Sequence, residues 1–203
     1  TKKRRSRHAF RERADGPMQR LHMDLMGKFK HASLGGAYHV LVIVDDYSRY
    51  TEVYTLQRKN EAVHRFKEFV ATHYPQGMYP KSIMTDWGTE FQGAFQEFCV
   101  EKQILMEKSC PYSAWQNGLV ERANRTLSGI ARAMLLDSQL GPQFWGLALS
   151  HAAFMSNRVC HTNTEATPYE LVFNRRPNLS KLKVWGCPGV VHVEDHYVPK
   201  DLS

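Results

Sequence analysis

Seven consecutive residues, Tyr38-His39-Val40-Leu41-Val42-Ile43-Val44, form an apolar run rich in β-branched side chains. The clean apolar part, residues 40–44, is far too short to cross a membrane. It suits a strand buried on both faces, where strict alternation is not required. Its flanks support that reading. A turn with Ser33, Gly35 and Gly36 precedes it, and Asp45-Asp46-Tyr47-Ser48-Arg49 follows it. Upstream of the first turn, Leu21-His22-Met23-Asp24-Leu25-Met26 alternates in character and stops at Gly27, a second strand signature. Downstream of the second turn, residues 50–56 are rich in Thr, Val and Tyr and read as a third strand. Strands joined by such short turns pair antiparallel.

The pattern then changes period. Asn60 is a suitable N-cap for a helix over 61–74, with Ala62, Phe66, Phe69 and Val70 on one face and Pro75 and Gly77 ending it. Ser82-Ile83-Met84-Thr85 is a fourth strand, stopping at Asp86-Trp87-Gly88. Thr89 can cap a short helix carrying Phe91, Phe95 and Phe98, and 104–106 is a fifth strand. A polar segment, 111–118, leads into a long helix over 119–137. Gly141-Pro142 breaks that helix, 143–157 is another, and Thr167-Pro168-Tyr169-Glu170 opens a short one. Residues 183–193 look like a further strand without an obvious partner. The order predicts an α/β fold, a five-stranded mixed sheet flanked by helices with additional C-terminal helices. Three regions follow: a basic arm over 1–19, a core over 20–160 and a C-terminal extension over 161–203.

The 203-residue chain carries a formal charge of +7, unevenly spread. Eight of its 27 Lys and Arg residues but only two of its 20 acids fall in residues 1–20, including Lys2, Lys3, Arg4, Arg5 and Arg7. A basic arm on a near-neutral body suggests a polyanionic partner, nucleic acid first, with a solvated tail as the plain alternative. An apolar content of 42% excludes global disorder. No apolar segment follows the basic residues, so they do not read as a secretory signal. Cys99, Cys110, Cys160 and Cys187 form no CxxC pair, which argues against zinc in this chain and for reduced thiols.

A few acids sit where a carboxylate is costly or useful. Asp24 lies inside an apolar strand, between Met23 and Leu25. Asp86 ends a strand, where α/β sheets favour ligands. Glu121 stands near the start of the long helix, just after Gly118. On that helix Val120, Ala123, Leu127, Ile130 and Met134 share an apolar face, while Glu121, Arg125, Ser128 and Arg132 form a separate polar stripe. An acid at the top of a basic stripe suits a metal at the acid and phosphates along the bases. Three carboxylates can hold two divalent ions about 3.5–4 Å apart, the arrangement used for in-line phosphoryl displacement. Oxygen ligands favour Mg2+ or Mn2+. Taken singly, each acid also has a structural reading: pairing or capping for the aspartates, the helix dipole for Glu121. Asp45 and Asp46 sit in a turn, where Asp serves backbone hydrogen bonds.

Together these segments resemble the catalytic core of retroviral-type integrases, specifically those of copia-like LTR retrotransposons. The stretches that carry the likeness are Leu21-His22-Met23-Asp24-Leu25-Met26-Gly27, Val44-Asp45-Asp46-Tyr47-Ser48-Arg49-Tyr50, Thr85-Asp86 with Gly88-Thr89-Glu90-Phe91, and Gln116-Asn117-Gly118-Leu119-Val120-Glu121-Arg122 with Asn124-Arg125-Thr126-Leu127. Phe144-Trp145, Asn157-Arg158, Thr167-Pro168-Tyr169-Glu170 and Trp185-Gly186-Cys187 extend it to about residue 193. The resemblance implies an RNase H-like fold and an Asp, Asp, Glu active site at Asp24, Asp86 and Glu121, the last two 35 positions apart. By the same likeness Asn117 belongs to the active-site loop near the DNA end, and Arg125, with Arg132 further along the stripe, faces DNA.

The resemblance further implies a polynucleotidyl transferase that processes the 3′ ends of element cDNA and joins them to target DNA. It implies two Mg2+ or Mn2+ ions per site, with Asp24 bridging both. Its partners would be cDNA ends and target DNA, without a membrane, and it would act as a dimer or tetramer bridging two ends. It would act in the nucleus, after cytoplasmic virus-like particles. Two departures stand out: Trp87 where the family has Asn, and Ala114-Trp115 where it has Pro-Gln. They keep open a domesticated, non-catalytic DNA-binding or interaction module; a nuclease that cleaves without joining is a third reading. The family's upstream His/Cys zinc module has no counterpart here and the C-terminal DNA-binding region is short, so a fragment is expected.

Overall fold

In the computed structural model, which describes residues 13–86, 88–108, 117–160, 165–180 and 182–189, the apolar run becomes strand β2 (His39–Asp45), buried along its whole length. Its side chains divide between two cores. Leu41 and Ile43 enter one, and Val40, Val42 and Val44 enter the other. A strand serving both faces of a sheet cannot spare polar positions, which is why the run is continuous.

β2 pairs antiparallel with β1 (Arg20–Met26) on one side and β3 (Thr51–Leu56) on the other, as the short turns predict. β4 (Ser82–Thr85) and β5 (Leu105–Lys108) then add parallel to β1, giving the order β3-β2-β1-β4-β5. Helices α1 (Ala62–His73) and α2 (Ala94–Glu101) cover one face with Phe66, Phe69, Phe95 and Phe98. Helices α3 (Gly118–Ser138) and α4 (Trp145–Ser156) cover the other with Val120, Leu127, Ala131, Trp145 and Leu149. The predicted apolar face of α3 is the one that packs.

The β1–β4 register positions the acids. Arg20, Leu21 and His22 stand opposite Ser82, Ile83 and Met84. The same offset carried two residues further sets Asp24 level with Asp86, just past the end of β4. Leu21 and Met23 belong to the α1/α2 core, so strand alternation turns Asp24 toward α3.

Two anchors hold α4. Trp145 stacks on Phe29 at 4.1 Å and donates its Nε1 hydrogen to the His31 carbonyl at 2.8 Å. Asn157, just after α4, acts as a backbone mimic for edge strand β3: it accepts from Thr51 N and donates to Thr51 O, both at 2.8 Å. The short helix α5 (Pro168–Phe173) opens on Thr167 and Pro168 as expected, and the cap is a reciprocal box, with Glu170 N donating to Thr167 Oγ1 and Thr167 N donating to Glu170 Oε2.

Three local expectations differ. Asn60 does not cap α1; a 3-10 turn, Lys59–Glu61, comes first, and the Glu61 carboxylate accepts from the amides of Gln57 and Arg58. The helix expected over 143–157 begins as a 3-10 turn, Pro142–Phe144, with Pro142 at the first position, where its missing amide hydrogen has no helical acceptor to lose. Residues 183–189 are not a strand. Gly186, at φ +76, and Pro188 interrupt extended pairing, and Trp185 packs against the α3/α4 core instead. Residues 190–193 lie outside the described residues.

Candidate active site

Asp24, Asp86 and Glu121 reach one neighbourhood from three elements. Burial raises the pKa of Asp24, and the like charges of Asp86 and Glu121 raise it further. Hydrogen bonds from the Leu25 amide and the Asn124 side chain oppose the shift without cancelling it. The Asn124 bond is short, Nδ2 to Asp24 Oδ2 at 2.6 Å. Asp86 is held by its own loop, its Oδ1 accepting from Gly88 N at 3.0 Å. Glu121 is exposed on the first turn of α3, where its amide donates to the Asn117 carbonyl at 3.2 Å. The carboxylates share a field rather than a common ligand point. Among the described residues no group of three or more His, Cys, Asp or Glu side chains is arranged to hold an ion. One oxygen each on Asp24 and Asp86 is engaged within the protein.

Asn124 is the residue that the candidate set lacked. It lies three positions after Glu121, so helix geometry puts both on one side of α3. That spacing was the available signal; the partner on β1 was not visible in sequence. Asn117 occupies the N-cap position of α3, but it is 5% exposed and its side chain makes no cap bond. The rest of the loop expected to carry it, residues 109–116, lies outside the described residues. Arg125 and Arg132 are exposed on α3, and Arg132 borders a cleft with Phe29, Leu135 and Trp145. Lys2, Lys3, Arg4, Arg5 and Arg7, with Trp87 and Trp115, lie outside the described residues.

Asp45 and Asp46 are structural, as their turn suggests. The Asp45 carboxylate accepts from Met18 N, Ser48 N and Ser48 Oγ at 2.6–2.8 Å. Burial nevertheless pushes its pKa up. Asp46 accepts from Ala14 N at 2.7 Å and faces His22, Arg20 and Arg49 within 3.4 Å. Burial works against its charge, but His22, the Ala14 amide and Arg49 outweigh burial and hold the carboxyl well below the usual range. The Cys99 thiol is buried and pushed up to about 12, an inert group, while Cys160 and Cys187 are exposed and free.

Residues 14–114 match the integrase core domain family. Over 176 residues the chain is 32% identical to the retrovirus-related Pol polyprotein from transposon TNT 1-94 of Nicotiana tabacum, covering 85% of this chain and 13% of that one. It is 27% identical over 156 residues to the corresponding polyprotein of transposon RE2 of Arabidopsis thaliana, covering 73% and 10%. The chain thus spans only about an eighth or less of these relatives. In structure it resembles a chain of the simian T-cell lymphotropic virus intasome, solved with the PP2A regulatory subunit B56 gamma, at a TM-score of 0.67 and 24% identity over 93% of this chain and 63% of that one. It also resembles the HTLV-2 integrase catalytic core domain in complex with magnesium, at a TM-score of 0.62 and 22% identity over 79% and 99%. These two likenesses establish the fold, the RNase H-like fold of retroviral integrase cores. The family match, the transposon relatives and the five-stranded mixed sheet place this chain among the copia-like retrotransposon integrase catalytic cores.

Proposed function

We propose that the chain is the phosphoryl-transfer core of a DNA integrase, trimming the 3′ ends of element cDNA and joining them to target DNA. The observation that carries this reading is the pressure of Asp86 and Glu121 on a half-buried Asp24. A protein that only needed to fold would not gather three carboxylates around one strand end, since like charges there cost stability.

The donor set is all oxygen, which suits a hard divalent cation such as Mg2+ or Mn2+. Asp24, Asp86 and Glu121 would hold it, and when bound such ions stabilise charge developing on the phosphate oxygens. The chain's own residues supply the rest. β1 carries Asp24 on the sheet, Asp86 follows directly after β4, and the first turn of α3 brings Glu121 close enough for its charge to act on Asp24. Asn124 restrains the Asp24 carboxylate in one orientation. Catalysis of this kind is chiefly positioning and electrostatic stabilisation. Arg125 and Arg132 extend from the site along exposed α3, where a phosphate backbone can lie, and the basic arm would add charge contacts that carry no base specificity. Assembly of two or more copies on paired DNA ends belongs to the same proposal, as does action in the nucleus.

The test is an oligonucleotide-end assay with a target plasmid and a divalent ion. Joined products from the parent chain, absent with Glu121→Gln, support the proposal. Cleaved ends without joining point to a nuclease. DNA binding without any product points to a non-catalytic module.

A further inference from the structure

The segment Gly88-Thr89-Glu90-Phe91 leads the chain away from Asp86. At its near end the Gly88 amide donates to Asp86 Oδ1 at 3.0 Å. A 3-10 turn, Thr89–Phe91, follows, with Phe91 N donating to the Gly88 carbonyl at 3.1 Å. Phe91 is 1% exposed and meets Phe95 edge-on at 5.3 Å, so the far end of the segment is tied into the α1/α2 core.

Glu90 lies between these anchors, and its side chain folds back over the segment. A methyl group at Gly88 would come within 2.7 Å of Glu90 Cδ and 2.8 Å of both carboxylate oxygens. The carboxylate therefore lies flat against the Gly88 Cα. At φ −56 and ψ 141 the Gly88 backbone is open to any residue. This close approach, rather than backbone conformation, is what requires glycine there. The Glu90 side chain is 6% exposed and faces Lys59 Nζ at 3.7 Å. A carboxylate so far out of water needs a positive partner. Lys59 is half-exposed and belongs to the 3-10 turn before α1, which the Glu61 carboxylate closes through the Gln57 and Arg58 amides.

These contacts form a chain that ends on the site. The Lys59 charge holds the Glu90 carboxylate, that carboxylate presses on Gly88, and the Gly88 amide orients Asp86. A group that hydrogen-bonds a ligating carboxylate tunes it without touching the ion. We propose that Glu90 is a positioning residue for Asp86, clamped between Lys59 and Gly88 so that the Gly88 amide stays fixed on the Asp86 carboxylate. The proposal rests on the reading of Asp86 as an active-site carboxylate and adds a residue behind it.

The test uses the whole chain and the variants Glu90→Gln, Glu90→Ala, Lys59→Gln, Lys59→Arg and Gly88→Ala. Joining rate is measured against Mn2+ concentration, and exchange of the Gly88 amide hydrogen is followed by NMR without any divalent ion. Glu90→Gln and Lys59→Gln are expected to raise the half-saturating Mn2+ concentration severalfold, up to about tenfold. Both should also speed Gly88 exchange while the amides of β2 keep the parent rate. Lys59→Arg preserves the pair and should behave as the parent. Gly88→Ala displaces the Glu90 carboxylate, so it should lower joining in the parent but add nothing in Glu90→Ala, where the methyl has room. A merely weakened fold would reduce the yield of active chain, leave the half-saturating concentration in place and speed exchange in β2 as well. Lys59 is half-exposed, so its two variants carry the test if the Glu90 variants melt early. Parent values in both Glu90→Gln and Lys59→Gln would overturn the positioning role, as would additive losses from Gly88→Ala and Glu90→Ala. Complete loss of joining in Glu90→Gln with Lys59→Gln fully active would make Glu90 a ligand and overturn it too. A parent chain that joins no DNA removes the integrase reading, and the ion-free Gly88 exchange then still decides for or against the clamp.

Discussion

Asn124 on α3 donates to Asp24 on β1 at 2.6 Å, a contact that spans 100 positions of sequence. The bond favours the ionised form of Asp24, so losing it raises that pKa further. With Asn124→Ala, the acidic limb of the DNA-joining rate is expected to move to higher pH. The rate near neutrality should fall about ten- to hundredfold, the scale of a hydrogen bond to a charged group. Rates measured from pH 5 to 9 check this, and an unmoved limb would remove Asn124 from the site.

Asp24 itself should cost stability. Its folded pKa lies above its unfolded value, because of burial and then the charges of Asp86 and Glu121. Its contribution is therefore fully present below about pH 3.9 and is lost as pH rises through the folded value. Asp24→Asn should raise Tm at pH 7 by about 2–4 °C, the scale of roughly 1 kcal/mol in a chain of this size, while abolishing joining. Added Mn2+ should raise Tm of the parent and not of the variant. Thermal melts with and without the ion decide both points.

Glu52 has the opposite sign. Its carboxylate accepts from the Tyr50 and Tyr54 hydroxyls at 2.9 and 2.7 Å and lies 2.9 Å from His73 Nε2. Burial works against its charge, but His73 and the two tyrosines outweigh burial and hold its pKa below the usual carboxylate value. This stability is present above the unfolded value of about 4.3 and disappears as pH falls through the lower folded value. Urea midpoints of the parent should drop between pH 5 and pH 3 more steeply than those of Glu52→Gln.

Asn157→Ala leaves two buried backbone groups of Thr51 without partners. The expected cost is about 2–4 kcal/mol, read as a lower urea midpoint with an unchanged slope. Early hydrogen exchange in β3 would accompany it, because Asn157 ties that edge strand to α4.

What could be read from sequence followed from local period. The continuous run in β2 fixed a sheet covered on both faces, short turns fixed two antiparallel pairs, and the 3.6-residue spacing of Val120, Leu127 and Ile130 fixed the buried side of α3. Asp24, Asp86 and Glu121 could be singled out because each sits at an unusual place in its own element. Asn124 could not, because its partner is a hundred residues away and only the packing of α3 on β1 brings them together. Residues 183–189 misled for the reverse reason. Their apolar side chains look like a strand, yet Gly186 and Pro188 prevent pairing and Trp185 takes the burial.

The most direct measurement is a crystal structure of the chain soaked in Mn2+, with the ion located by its anomalous signal. The account predicts a peak coordinated by Asp24 and Asp86, with Glu121 turned toward it and carboxylate oxygens at roughly 2.0–2.3 Å, near the range for small hard cations. A peak elsewhere, or three carboxylates that stay apart with the ion in the crystal, would contradict it.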